Sequence, residues 1–144
     1  MSYQALTGYH DSILRSIDTN EAESSLSLLF QLTDGSTRKI LLKGCEIFRI
    51  VDFTKQNITS RLIKYNGAGV DTVDISEKLT WATSLSDASS FLSQQALTSI
   101  TNRILDGNAS VLYLEPSYGA EMVALFSELL EQAFDTQGVP NQVQ

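Results

Sequence analysis

Val111-Leu112-Tyr113-Leu114-Glu115-Pro116-Ser117-Tyr118-Gly119-Ala120-Glu121 is the stretch on which the reading of the fold turns. A β-rich run stops at Pro116. Behind it, Met122, Val123, Leu125, Phe126, Leu129, Leu130, Ala133 and Phe134 recur with helical period and form one apolar stripe. The spacing predicts a strand, a tight turn and a helix over Ala120–Phe134. Junctions of this kind bring backbone donors and polar side chains to a ligand.

Upstream, a second helix is predicted over Gln94–Leu105. Ser93 is its N-cap, Leu92 and Leu97 form a staple, and Leu97, Ile100 and Ile104 share a face. Asp74-Ile75-Ser76-Glu77 fits a capping box for a helix through Leu79 and Ala82, though Trp81 and Thr83 would also suit a strand. The front half reads as strands. Ser12–Ile17 is a short one, and Leu26, Leu28, Phe30 and Leu32 alternate with period two, as a strand with one buried face requires. Asp34-Gly35 closes a hairpin to Arg38–Lys43. A three-residue loop would set Phe30 opposite Ile40 and Leu28 opposite Leu42, keeping the apolar set on one face. Cys45–Phe53 is apolar on both alternate sets and so reads as a central strand. Thr59–Tyr65 is another strand, ended by the turn Asn66-Gly67-Ala68-Gly69. Strands early and helices late predict an α+β fold: an antiparallel sheet of about five or six strands. The two late helices are expected on the Leu26, Leu28, Phe30 face. Residues 1–135 form one domain and 136–144 a frayed tail.

A chain of 144 residues buries roughly two-thirds of its unfolded surface and needs no disulfide or metal for a core. Charged residues are few, 19%, with Ser and Thr taking up the difference. The net charge is −7, and Arg38-Lys39 is the single adjacent basic pair. Nucleic acid and anionic membrane surfaces both need a clustered cationic face, so neither is an expected partner. A basic protein partner is, by electrostatic steering, although solubility alone also accounts for an acidic surface. One cysteine, Cys45, excludes an internal disulfide, and the first residues lack a secretory pattern, so a cytoplasmic protein is expected.

His10 is the single histidine, which removes most metal and triad arrangements, and no metal or cofactor is expected. Ser117 stands between strand and predicted helix as in a nucleophile elbow, but Glu115-Pro116 replaces the preceding glycine and His10 is the sole candidate base. Glu115 and Glu121 flank the turn and could form a carboxylate pair; the plainer reading is a solvated strand end and a first-turn helix charge. Tyr118 is the aromatic expected to be exposed, while Trp81 and Tyr113 lie in apolar patterns. Asp52 and Asn57 around Phe53-Thr54-Lys55-Gln56 form a second polar cluster, for which turn formation is the favoured role. The candidate partner-binding set is Glu115, Ser117, Tyr118, Glu121, Asp52 and Asn57.

Three short segments, His10-Asp11-Ser12, Phe53-Thr54-Lys55-Gln56-Asn57-Ile58 and Leu114–Glu121, carry a resemblance to a loose group of small bacterial proteins of unknown function. In size and charge the chain is similar to immunity proteins, which neutralise secreted toxins. The resemblance implies a non-enzymatic inhibitor of a basic toxin and transfers no site residue. The alternative is a hydrolase or small-ligand binder using the Glu115–Glu121 turn.

Overall fold

The computed structural model describes residues 3–85, 89–134 and 140–142. Ten strands and two helices follow one another: β1 (Tyr3–Ala5), β2 (Ile13–Asn20), β3 (Ser25–Gln31), β4 (Thr37–Lys43), β5 (Ile47–Val51), β6 (Ile58–Tyr65), α1 (Thr72–Ala82), α2 (Gln94–Leu105), β7 (Ser110–Tyr118), β8 (Glu121–Phe126), β9 (Glu128–Phe134) and β10 (Pro140–Gln142). Nine strands make one path, β10-β9-β4-β3-β2-β6-β7-β8-β5, and β1 pairs with β6. Each pairing is antiparallel. The α+β class holds, with a sheet much larger than five or six strands.

Two of the added strands come from the stretch expected to be the last helix; the others are the short β1 and β10. Glu121–Phe134 is β8 and β9, not a helix, so the deciding stretch is strand–turn–strand. In β8, Met122, Ala124 and Phe126 face one apolar cluster, and Val123 and Leu125 face another. A strand buried on both sides needs apolar residues at every position, and a dense run of them also satisfies helical spacing. Nor does Pro116 end β7, which continues to Tyr118; the ladder with β6 shifts register on both sides of the proline.

β4–β5 and β8–β9 are two bent strands that run together. Lys43 pairs with Glu128, Ile47 pairs with Leu125, and the Ser127 amide bonds to the Lys43 carbonyl at the bend. The path therefore doubles over into two layers. Between them lie Leu14, Leu26, Leu28, Phe30, Ile40 and Leu42 from one side and Leu62, Leu112, Leu114, Met122, Ala124 and Phe126 from the other. The helices do not cover the Leu26, Leu28, Phe30 face. They cover the outer side of β6–β7–β8, where Ile75, Leu79 and Ile104 meet Ile63, Val111, Val123 and Leu125.

Several local expectations are met. β3 alternates buried and half-buried as its pattern requires. α2 begins at the Ser93 cap, whose hydroxyl accepts from the Ala96 amide at 3.0 Å. α1 is present, but its cap is Asp71, which accepts from the Val73 and Asp74 amides. The β3–β4 register differs from the expected one by two residues. Leu28 faces Ile40 and Phe30 faces Arg38, because the three-residue loop is Thr33-Asp34-Gly35, one residue earlier than expected, closed by the Leu32 amide on the Ser36 carbonyl. A two-residue shift preserves the face, so the core is unaffected. β2 runs on to Asn20, three residues past the expected end at Ile17. The Cys45–Phe53 segment is not a central strand: β5 ends the path and pairs with β8 alone. Of the expected tail, Pro140–Gln142 pairs with β9, and 136–139 and 143–144 lie outside the described residues.

Candidate functional site

The β7–β8 turn and the loop after β5 meet, and Asn57 joins them. It is 2% exposed, and its Oδ1 accepts from the Thr54 amide at 2.8 Å and the Ala120 amide at 3.1 Å. Its Nδ2 donates to the Thr54 carbonyl at 2.8 Å and the Leu14 carbonyl at 3.3 Å. Asn57 is thus a brace with no free polar atom to offer a partner. Gly119 fits against it at φ +84, where a Cβ would stand 2.6 Å from the Asn57 Oδ1. Asp52, in the left-handed region at φ +58, is exposed at the end of β5.

The carboxylates flanking the turn are also engaged. Glu115 takes both arms of Arg61, Nε at 3.0 Å and Nη2 at 2.9 Å. That guanidinium holds the Glu115 carboxyl below its ordinary range. Glu121 accepts from the Tyr113 hydroxyl at 2.7 Å. Burial, and then Glu121, raise the Tyr113 phenol, so it remains a donor. Lys78 lies 4.3 Å over the Tyr113 ring and bonds to Asp74 at 2.7 Å, completing a charged and aromatic band beside α1. Trp81 and Tyr113 are half-buried as expected, Trp81 under the Arg49 guanidinium at 4.4 Å.

A depressed carboxyl in the folded state fixes the sign of one pH effect. The Glu115 contribution is fully present above the unfolded value of about 4.3 and fades as pH falls through the lower folded value. Urea midpoints measured from pH 6 to pH 3 are expected to fall less steeply for Glu115→Gln than for the parent. Parallel slopes would show that the Arg61 pair has no such role.

His10 and Ser117 are not brought together. His10 Nδ1 meets the Ser60 carbonyl at 3.0 Å, and its Nε2 lies 3.5 Å from Asp11. The Asp11 amide bonds to Thr59 of β6, and β7, carrying Ser117, pairs with β6. β6 thus separates the two chain segments, whose backbones stand two strand spacings apart, roughly 10 Å. What remains open at the turn is Ser117 and Tyr118, the latter 60% exposed as the sequence predicts.

Sequence reasoning missed a third cluster, at the end of the interlayer core. Tyr9 is fully buried; its hydroxyl donates to Glu131 at 2.8 Å, and Arg38 stacks 5.2 Å over its ring. Arg38 reaches Glu131 at 3.7 Å and donates to the Thr7 carbonyl at 2.8 Å. Burial, then Glu131, raise the Tyr9 phenol, which keeps it neutral. Ile40 faces Glu131 across the ladder, and residues directly opposite share a face, so Glu131 points toward the core. Three residues so far apart in the chain have no common spacing by which to find them.

Among the described residues no group of three or more His, Cys, Asp or Glu could hold a metal ion, and no helix is long and apolar enough to cross a membrane. No family model, curated protein or solved structure matches the chain.

Proposed function

We propose that this chain is a non-enzymatic binding domain that takes a basic protein partner, as an immunity protein takes a cationic toxin. The observation that carries the reading is the free edge of β5, which lies beside an acidic turn. Among the described residues β5 pairs with β8 on one side only, and Phe48 on it is 41% exposed. A concavity of about 270 Å³ joins Phe48 and Cys45 to Thr19, Asn20, Glu21, Ser24 and Ser25 at the β2–β3 turn. Glu21 and Glu23 on that turn, and Asp18 near the end of β2, are exposed, with no Lys or Arg between them. An unpaired strand offers backbone donors and acceptors to an extended segment, and the carboxylates favour a cationic one. The net charge of −7 steers the same encounter from farther away.

Capture from a lysate of the source organism tests this, comparing the parent with a variant carrying Asp18→Lys, Glu21→Lys and Glu23→Lys. The parent is expected to retain a basic protein whose recovery falls as salt rises from about 0.05 to 0.5 M, while the variant loses it. A partner retained equally by both proteins, or one indifferent to salt, would place the contact elsewhere.

A further inference from the structure

Tyr118 does not stand on a flat surface. Together with Ile13, Arg15, Thr54, Lys55 and Gln56 it lines an open cavity of about 550 Å³, within the range of small-molecule sites. No carboxylate lines it, which is notable in a chain of net charge −7. We infer that this cavity binds a small planar anion, a flat ring bearing a carboxylate or phosphate.

Backbone irregularities aim the lining residues. In the β2–β3 ladder, Leu14 faces Phe30 and Ser16 faces Leu29, so Arg15 is the extra residue of a bulge. In the β6–β7 ladder, Ile58 faces Tyr118 and Thr59 faces Pro116, so Ser117 is another. Bulges cost ladder hydrogen bonds and redirect side chains, and they gather beside functional sites. The two bulges here flank one cavity.

The floor is preorganised. Thr54 Oγ1 donates to the Gln56 carbonyl at 2.9 Å and accepts from the Gln56 amide at 3.2 Å. Asn57 ties this loop to the Tyr118 turn through the Ala120 amide. Little ordering entropy is then left for binding to supply. The cations are also uncommitted. The Arg15 Nε donates to the neutral Gln31 Oε1 at 2.9 Å, and Nη2 to the same oxygen. Gln31 orients the guanidinium without neutralising it. Neither Arg15 nor Lys55 enters an ion pair among the described residues. A fork donor suits a carboxylate or phosphate, and an exposed phenol ring offers a stacking face. The anion lies toward Arg15 and Lys55, and the ring lies on Tyr118.

The cavity lies at the opposite end of β2 from the acidic turn, so this inference does not rest on the partner reading. Its test is an amide chemical-shift titration of the intact chain with benzoate, adenosine monophosphate, neutral benzamide and inorganic phosphate. Benzoate or the nucleotide is expected to shift the Lys55, Gln56 and Tyr118 amides saturably; whichever binds more tightly identifies the head group. Benzamide and inorganic phosphate are each expected to bind at least about tenfold more weakly, since each lacks one half of the recognition. Arg15→Gln and Tyr118→Ala should each weaken the tighter ring-bearing anion about tenfold, while Lys39→Gln, the same charge change on β4, should not. No saturable shift with either ring-bearing anion, equal binding of benzamide, or an equal loss in Lys39→Gln overturns the inference.

Discussion

Phe30→Asp is expected to abolish cooperative thermal unfolding at pH 7. Phe30 is fully buried between the two layers, its ring edge-on to Tyr9 with centroids 5.0 Å apart. Removing a buried aromatic alone costs about 3–5 kcal/mol. A carboxylate at the same point must also be desolvated or protonated, and Arg38, directly opposite, is already engaged by Glu131 and the Thr7 carbonyl. Since domains hold only about 5–15 kcal/mol in total, the sum consumes most or all of it. Leu29→Asp is the control. Leu29 is the next residue of β3 but half-buried on the outer side, opposite Lys39, so a loss of about 1 kcal/mol or less is expected there. Equal losses at the two positions, followed by circular dichroism, would refute the two-layer interior.

That contrast shows which parts of the fold were legible. β3 could be read because water covers one of its faces, which forces polar or half-buried residues between Leu26, Leu28 and Phe30. α2 could be read for the same reason: it is a helix with a wet side, and its cap is a local contact between Ser93 and Ala96. β8 has no wet side. The helices cover Val123 and Leu125 while the interlayer core takes Met122, Ala124 and Phe126, so its period is erased. β5 shows the converse difficulty. Its faces are covered in part, Ile47 by the helix-side cluster and Ile50 by the interlayer core while Phe48 is exposed, yet its edge is free among the described residues. Apolar pattern reports which faces are buried and carries no information about which edges are paired.

The candidate site was legible to a similar degree. Glu115, Ser117, Tyr118, Glu121, Asp52 and Asn57 do lie on segments that meet or adjoin, because turns rich in Gly and Asn mark where strands reverse. Their roles were not legible. Glu115 and Glu121 are held by Arg61 and Tyr113, and both contacts depend on tertiary placement. Arg15 had no signal of its own, since a bulge exists only in the pairing of two strands.

The second large effect is expected at Asn57. Asn57→Ala removes five hydrogen bonds at once, to the Thr54 amide, hydroxyl and carbonyl, the Ala120 amide and the Leu14 carbonyl. Thr54 is exposed and water can replace its three bonds, whereas Ala120 and Leu14 are buried and lose a partner. At about 1–3 kcal/mol for each of the two buried groups, the loss is about 2–6 kcal/mol, a fall of roughly 10–20 °C in Tm for a chain of this length. Gly119→Ala attacks the same joint from the other side. Its backbone is left-handed, and the new Cβ would meet the Asn57 Oδ1 at 2.6 Å and the Gln56 carbonyl at 3.0 Å. Much of that clash disappears when Asn57 is already alanine, so the double variant should lose less than the sum of the singles, by about 1 kcal/mol or more. Melting the four proteins in parallel measures this coupling. Strict additivity would mean that Asn57 is not the wall against which Gly119 packs, and the joint between the Thr54–Gln56 loop and the Tyr118 turn would then have to be held by other contacts.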